Sequence, residues 1–138
     1  MAIEIRRLGP GDEDVVRALA EDEPQTALLA DERTLFLAAF DGSEPVGFVF
    51  GYELLRRHGD PSILFLYEIE VASAHRGQGV GARLLRGLAA IARERGIRTG
   101  FVLTNASNDA AMRLYESLGG VRPNPDDVMW DFEWSAVS

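Results

Sequence analysis

The chain has 138 residues, which points to one domain spanning 1–138 with a sizeable core, and its 46% hydrophobic and 26% charged content is ordinary for a soluble globular protein. It contains no cysteine, which excludes disulfides, cysteine-ligated zinc and thiol nucleophiles and suits the cytoplasm. The net charge of −8 argues against nucleic acid as a partner and would attract a cationic small molecule, although an acidic surface also serves solubility.

The start of the chain, Met1-Ala-Ile-Glu-Ile, has neither a basic nor an apolar leader pattern, so no signal peptide is expected. No apolar run approaches the ~20 residues that span a membrane, so no membrane partner is expected either. Ile3 and Ile5 alternate with Glu4 and Arg6 as in a strand. Gly9-Pro10-Gly11 signals a turn, with Asp12 as an N-cap for a helix carrying Val15, Val16, Leu19 and Ala20 and ending before Pro24. The acidic patch Glu21-Asp22-Glu23 then reads as a solvated face or as the wall of a site for a cation. A short helical stretch follows around Thr26–Asp31.

Thr34–Phe40 and Val46–Leu55 form strands joined by the hairpin signal Asp41-Gly42-Ser43-Glu44-Pro45. His58 lies in a polar loop with no second histidine near it, so no metal site is expected. Ile63–Val71 is a mostly apolar strand, expected at the centre of the sheet. A helix from Val80 to Arg95 follows, with Gly96 just past its end, then a strand at Thr99–Leu103. Asn108 precedes a helix over Asp109–Leu118, and Gly119-Gly120 end it. A turn at Pro123–Asp126 leads to a last strand, Val128–Trp134. The order is that of an α/β protein. Its sheet is mixed and mostly antiparallel, flanked by helices, with one parallel crossover after Ile63.

The turn between Val71 and Val80 carries Gly77, Gly79 and Gly81 and opens a helix, so backbone N–H groups and the helix dipole favour an anion there. A nucleotide P-loop needs a lysine, and the chain has none. A dinucleotide fingerprint matches in letters. It requires an acidic residue at the end of the next strand, which instead ends Leu103-Thr104-Asn105.

Read with the residue before it, Arg76-Gly77-Gln78-Gly79-Val80-Gly81 is R-x-x-G-x-G. This resembles the acetyl-CoA loop of the GCN5-related N-acetyltransferase (GNAT) superfamily. Asn105-Ala-Ser-Asn108-Asp-Ala-Ala111-Met-Arg-Leu114-Tyr115-Glu-Ser-Leu118-Gly119 is similar to that family's second signature, N-x-x-A-x-x-L-Y-x-x-L-G. The element order matches as well, and Gly120 stands where the family usually has Phe. The resemblance implies the GNAT fold and acetyl-CoA as cofactor. It implies that the diphosphate is held by Arg76, Gly77, Gln78, Gly79, Val80, Gly81 and Ala82, and the pantetheine arm by the strand at Ile69 and Val71. Asn108, Ala111 and Tyr115 would complete the cofactor site.

Acetyl transfer to an amine needs proton removal from the ammonium, stabilisation of an oxyanion and protonation of the leaving thiolate. Without cysteine an acyl-cysteine route is closed, so the amine attacks directly. The resemblance assigns Tyr115 as the general acid, against a plain packed aromatic. Glu68 and Glu70 share one face of an apolar strand, where burial would raise their pKa toward that of a base. Glu68 is the first candidate and Glu70 the second, against pairing of either with an arginine. A backbone N–H near Val71 is the candidate oxyanion donor.

Within the superfamily, Thr34-Leu-Phe-Leu-Ala-Ala-Phe-Asp41, Leu66–Arg76 and Asp126-Asp127-Val-Met129 resemble type I aminoglycoside 3-N-acetyltransferases, with Glu70 where an apolar residue is usual. This implies a cationic small-molecule acceptor, with Glu21, Asp22, Glu23, Asp126 and Asp127 as its counter-charges. A protein or polyamine N-acetyltransferase and a non-catalytic acyl-CoA-binding module are the alternatives. By analogy with the family a homodimer is expected, through the last strand with Trp130 and Trp134.

Overall fold

The computed structural model describes residues 2–137. Alternation and turn chemistry produce β1 (Ile3–Arg7), β2 (Thr34–Asp41), β3 (Glu44–Leu55) and β4 (Ser62–Val71), paired antiparallel in that order. After helix α2 (Val80–Glu94), β5 (Gly100–Val102) adds to β4 in parallel, giving one five-stranded sheet of order β1-β2-β3-β4-β5. This is the mixed, mostly antiparallel sheet expected, with the single parallel step where the strand–helix–strand unit falls.

Two apolar layers hold the sheet. On one face α2 buries Val80, Leu84, Leu88 and Ala92, spaced four apart along one stripe, against Leu35, Leu37, Val49, Leu64 and Leu66. Burial of a leucine such as Leu84 or Leu88 is worth about 1.5–3 kcal/mol. On the other face the short helix α1 (Glu13–Leu19) covers Phe36, Phe48 and Phe50, whose rings stack at centroid spacings of 5.2–6.2 Å. Helix α3 (Asp109–Ser117) approaches the start of α2 through Leu114. A Cβ on Gly81 would stand 3.4 Å from Leu114 Cδ2.

The helix ends follow from their terminal residues. Gly96 at φ +74° closes α2, with its N–H on Arg93 and the Ile97 N–H on Ala92. Asn108 caps α3 by accepting from the Ala111 N–H at 3.1 Å. Asp12 stands at the N-cap position of α1 but makes no cap bond. Its carboxylate instead accepts from the Gly9 N–H and lies 3.6 Å from Arg6. The stretch expected at Thr26–Asp31 is a 3-10 turn over Ala27–Ala30.

The expected last strand, Val128–Trp134, is absent. The segment after Gly120 pairs with no strand among the described residues, and a 3-10 turn occupies Trp134–Ala136. Trp130 and Trp134 are 78% and 76% exposed, so neither belongs to the core. Its alternation, Trp130-Asp131-Phe132-Glu133-Trp134, is that of a strand. A strand also needs an edge to pair with, and none is engaged within the chain.

Candidate active site

The site begins with an irregularity in β4. Phe50 pairs with Glu68, but the next residue of β3, Gly51, pairs with Leu66, so Tyr67 is an extra residue in β4. Such a bulge bends the strand and re-aims its side chains. Tyr67 consequently sits on the same face as Glu68, with its ring 5.3 Å from Phe50 and 5.5 Å from Tyr52. At this point β5 stops following β4, because their pairing ends at Leu66–Val102. From Tyr67 to Val71 the far edge of β4 therefore faces a gap.

The backbone presented to that gap is defined by register. The Ala72 N–H bonds to the Val46 carbonyl at 2.8 Å, and Glu70 and Glu68 lie opposite Phe48 and Phe50. Antiparallel pairing alternates, so the backbone groups of Ile69 and Val71 point into the gap. Their side chains pack toward α2. The Val71 carbonyl accepts from Arg76 Nε at 2.9 Å.

The glycine turn ends at the start of α2. Gly77 and Gly79 have φ of +73° and +80°, and no atom lies within 4 Å of where a Cβ would stand on either. Gly79 is the N-cap of α2 and has no side chain to cap it, so the N–H groups of Val80, Gly81 and Ala82 have no intrahelical partner. Open, uncapped donors at the head of a 15-residue helix fit a diphosphate that needs no metal. Among the described residues no group of three or more His, Asp or Glu could hold a metal ion.

On the α1 face lies a cleft of about 330 Å³ walled by Glu21, Asp22, Glu23, Glu68 and Glu70 and floored by Phe36, Phe48 and Phe50. The structure thus brings together the acidic loop after α1 and the two strand carboxylates. Asp126 and Asp127 do not line this cleft and are exposed in the C-terminal segment. Burial, then the neighbouring Glu70 and Glu21, pushes the Glu68 carboxyl above its ordinary value. Among the described residues neither Glu68 nor Glu70 enters an ion pair. Tyr115, half-buried on α3 against the α2 core, has its hydroxyl pKa raised by burial. Asn108 and Ala111 meet through the α3 cap bond.

Sequence reasoning missed Tyr52 and Tyr67, which flank Glu68, and His75, which anchors the glycine turn. Regular alternation puts Tyr67 and Glu68 on opposite faces, and only the bulge brings them to the same one. His75 carried one signal, its place directly before Arg76.

An uncapped helix head follows directly on a strand whose far edge is free and whose Glu68 and Glu70 wall a carboxylate cleft on the opposite face of the sheet, an arrangement suited to an acyl-group transferase. The profile of the acetyltransferase (GNAT) family matches residues 5–120, and the chain belongs to that family. The L-2,4-diaminobutyric acid acetyltransferase of Streptomyces coelicolor is 39% identical over 74 residues, covering 53% of this chain and 42% of that protein. The chain thus matches less than half the length of this relative. An aminoglycoside acetyltransferase from an uncultured soil metagenomic sample superposes with a TM-score of 0.82 at 25% identity, covering 96% of this chain and 99% of that one. AAC(6')-Iy in complex with a bisubstrate analogue, CoA-S-monomethyl-acetylneamine, superposes at 0.81 with 18% identity, covering 96% and 99%, a likeness of fold.

Proposed function

We propose that this protein is an acetyl-CoA-dependent N-acetyltransferase that moves an acetyl group to a primary amine by direct attack. Its acceptor is a polycationic small molecule of the aminoglycoside type, acetylated at the 3-N position. The observation that carries this reading is that one stretch of β4 borders both halves of the reaction. Its free edge, Ile69–Val71, continues into the uncapped glycine turn, and its other side chains, Glu68 and Glu70, wall the acidic cleft.

Acetyl-CoA supplies the activated acetyl group. The N–H groups of Val80, Gly81 and Ala82 bind its diphosphate, and the Ile69 and Val71 backbone orients its arm. Glu68, with its raised pKa, takes the proton from the acceptor ammonium. The Val71 N–H donates to the carbonyl oxygen as negative charge develops there. The Tyr115 hydroxyl, kept protonated by burial, holds the proton that the departing sulfur requires.

The acceptor class follows from the cleft lining. Five carboxylates line the cleft and no Arg does, so an ammonium-rich molecule finds counter-charges there while an α-carboxylate finds none. This favours a polycation over a diamino acid such as the name of the Streptomyces relative indicates. The likeness to the metagenomic aminoglycoside acetyltransferase supports the same choice. The test is thiol release from acetyl-CoA with aminoglycosides, polyamines, 2,4-diaminobutyrate and peptides. Turnover with aminoglycosides is expected, and release only with peptides or diaminobutyrate contradicts the acceptor assignment. Homodimerisation through residues 128–134 is part of the same reading, supported by the exposure of Trp130, Phe132 and Trp134.

A further inference from the structure

The glycine turn is held at two consecutive residues by side chains bonded to two different strands. Arg76 Nε donates to the Val71 carbonyl at 2.9 Å, which fastens the turn to the strand it leaves. His75, one residue earlier, closes the 3-10 turn Ser73–His75. Its side chain is 15% exposed, and its Nε2 lies 3.1 Å from Oδ2 of Asp41. Asp41 is the last residue of β2, separated from β4 by the whole of β3. The contact therefore ties the turn across the end of the sheet.

With the carboxylate oxygen accepting, Nε2 donates, and Nδ1 is left as the second polar atom of the ring. Nδ1 is buried and has no hydrogen-bond partner among the described residues. A hydrocarbon ring would fill the same space without leaving a buried polar atom unpaired. Packing alone does not account for an imidazole here, and the bond to Asp41 does.

We propose that His75 and Asp41 form a clamp that sets the Arg76–Ala82 turn before its ligand arrives, making His75 a positioning residue for the diphosphate. This rests on the reading of the turn as the coenzyme's seat. Gly77 and Gly79 give the turn the freedom to adopt φ of +73° and +80°, and the same freedom is lost when a ligand orders it. A turn already anchored loses less on binding, so affinity rises without any new contact to the ligand. Arg76 cannot supply this alone. It ties the turn only to β4, whereas His75 fixes its position over the sheet through β2.

The test is calorimetric titration of acetyl-CoA into wild type, His75→Ala, Asp41→Ala, the double variant and His75→Gln. Each alanine variant is expected to bind about tenfold more weakly, and the double variant no more weakly than either, because all remove one contact. His75→Gln, whose amide N–H can still donate to Asp41, recovers most of the loss. The effect falls on KM for acetyl-CoA rather than on kcat. Amide exchange of residues 76–82 in the free protein speeds up in the alanine variants. Should these not fold, His75→Asn, polar but shorter, takes their place against His75→Gln. Wild-type affinity in the single variants, or losses that add in the double, overturns the clamp. Wild-type protein that binds no acetyl-CoA overturns the reading of the turn itself.

Discussion

Glu68 sits in a conflict between chemistry and stability, and that conflict is measurable. Folding raises its pKa, so the folded chain favours the protonated form. Its favourable contribution to stability is present below the ordinary carboxyl value and is lost as pH rises through the raised one. Catalysis runs the opposite way, because only the carboxylate accepts a proton. Turnover should climb with pH through the raised value. Glu68→Gln should lower kcat by about 10²–10⁴-fold and flatten that limb. The same substitution should raise the melting temperature at pH 8, with the gain shrinking toward pH 4 in thermal scans. Tyr115 makes a different prediction. Burial keeps its hydroxyl protonated, so Tyr115→Phe should cut kcat by about 10²-fold or more while acetyl-CoA affinity, read by calorimetry, stays within about twofold. Equal turnover in that variant removes Tyr115 from the chemistry.

Among the elements, the glycine turn and α2 act together. Gly79 holds φ +80° at the N-cap, where an alanine costs about 1 kcal/mol of strain. Gly79→Ala should lower stability by about that amount in denaturant titration and, if the turn seats the coenzyme as proposed, weaken acetyl-CoA binding as well, since its methyl would project into open space beside the turn. Much of this was legible in the chain. The R-x-x-G-x-G spacing located the turn, Gly96 located the end of α2, and Asn108 located the start of α3, because each is a local bond or backbone state. The Glu68–Glu70 face was legible too, since both residues lie beyond the irregularity. The bulge at Tyr67 was not, because it depends on how β3 aligns with β4, and Tyr-Glu-Ile-Glu-Val alternates regularly on its own. The clamp was hidden for the same reason, as His75 and Asp41 meet only through three-strand pairing. The segment Val128–Trp134 carried strand alternation without a partner, and alternation cannot supply one.

At the scale of the whole molecule, charge and exposed surface make the predictions. With a net charge of −8 and a carboxylate-walled cleft, a polycationic acceptor as proposed would be drawn in electrostatically. Its KM should therefore rise several-fold between about 0.05 and 0.5 M salt as screening shortens the field, while kcat changes little. A KM indifferent to salt argues for an uncharged acceptor. Exposed Trp130, Phe132 and Trp134 predict self-association. Sedimentation should show a species of twice 15.1 kDa, reduced to one chain by Trp130→Glu, whereas a monomer in the unaltered protein contradicts the dimer. The proposed union of a coenzyme seat and an amine cleft along one stretch of β4 can be read in thiol release from acetyl-CoA. With an aminoglycoside as acceptor, wild type should release coenzyme A and yield one acetylated amine per thiol, and both Glu68→Gln and Tyr115→Phe should be strongly impaired. Release that no amine stimulates, or that both variants sustain at the wild-type rate, contradicts amine acetylation by Glu68 and Tyr115 at this site.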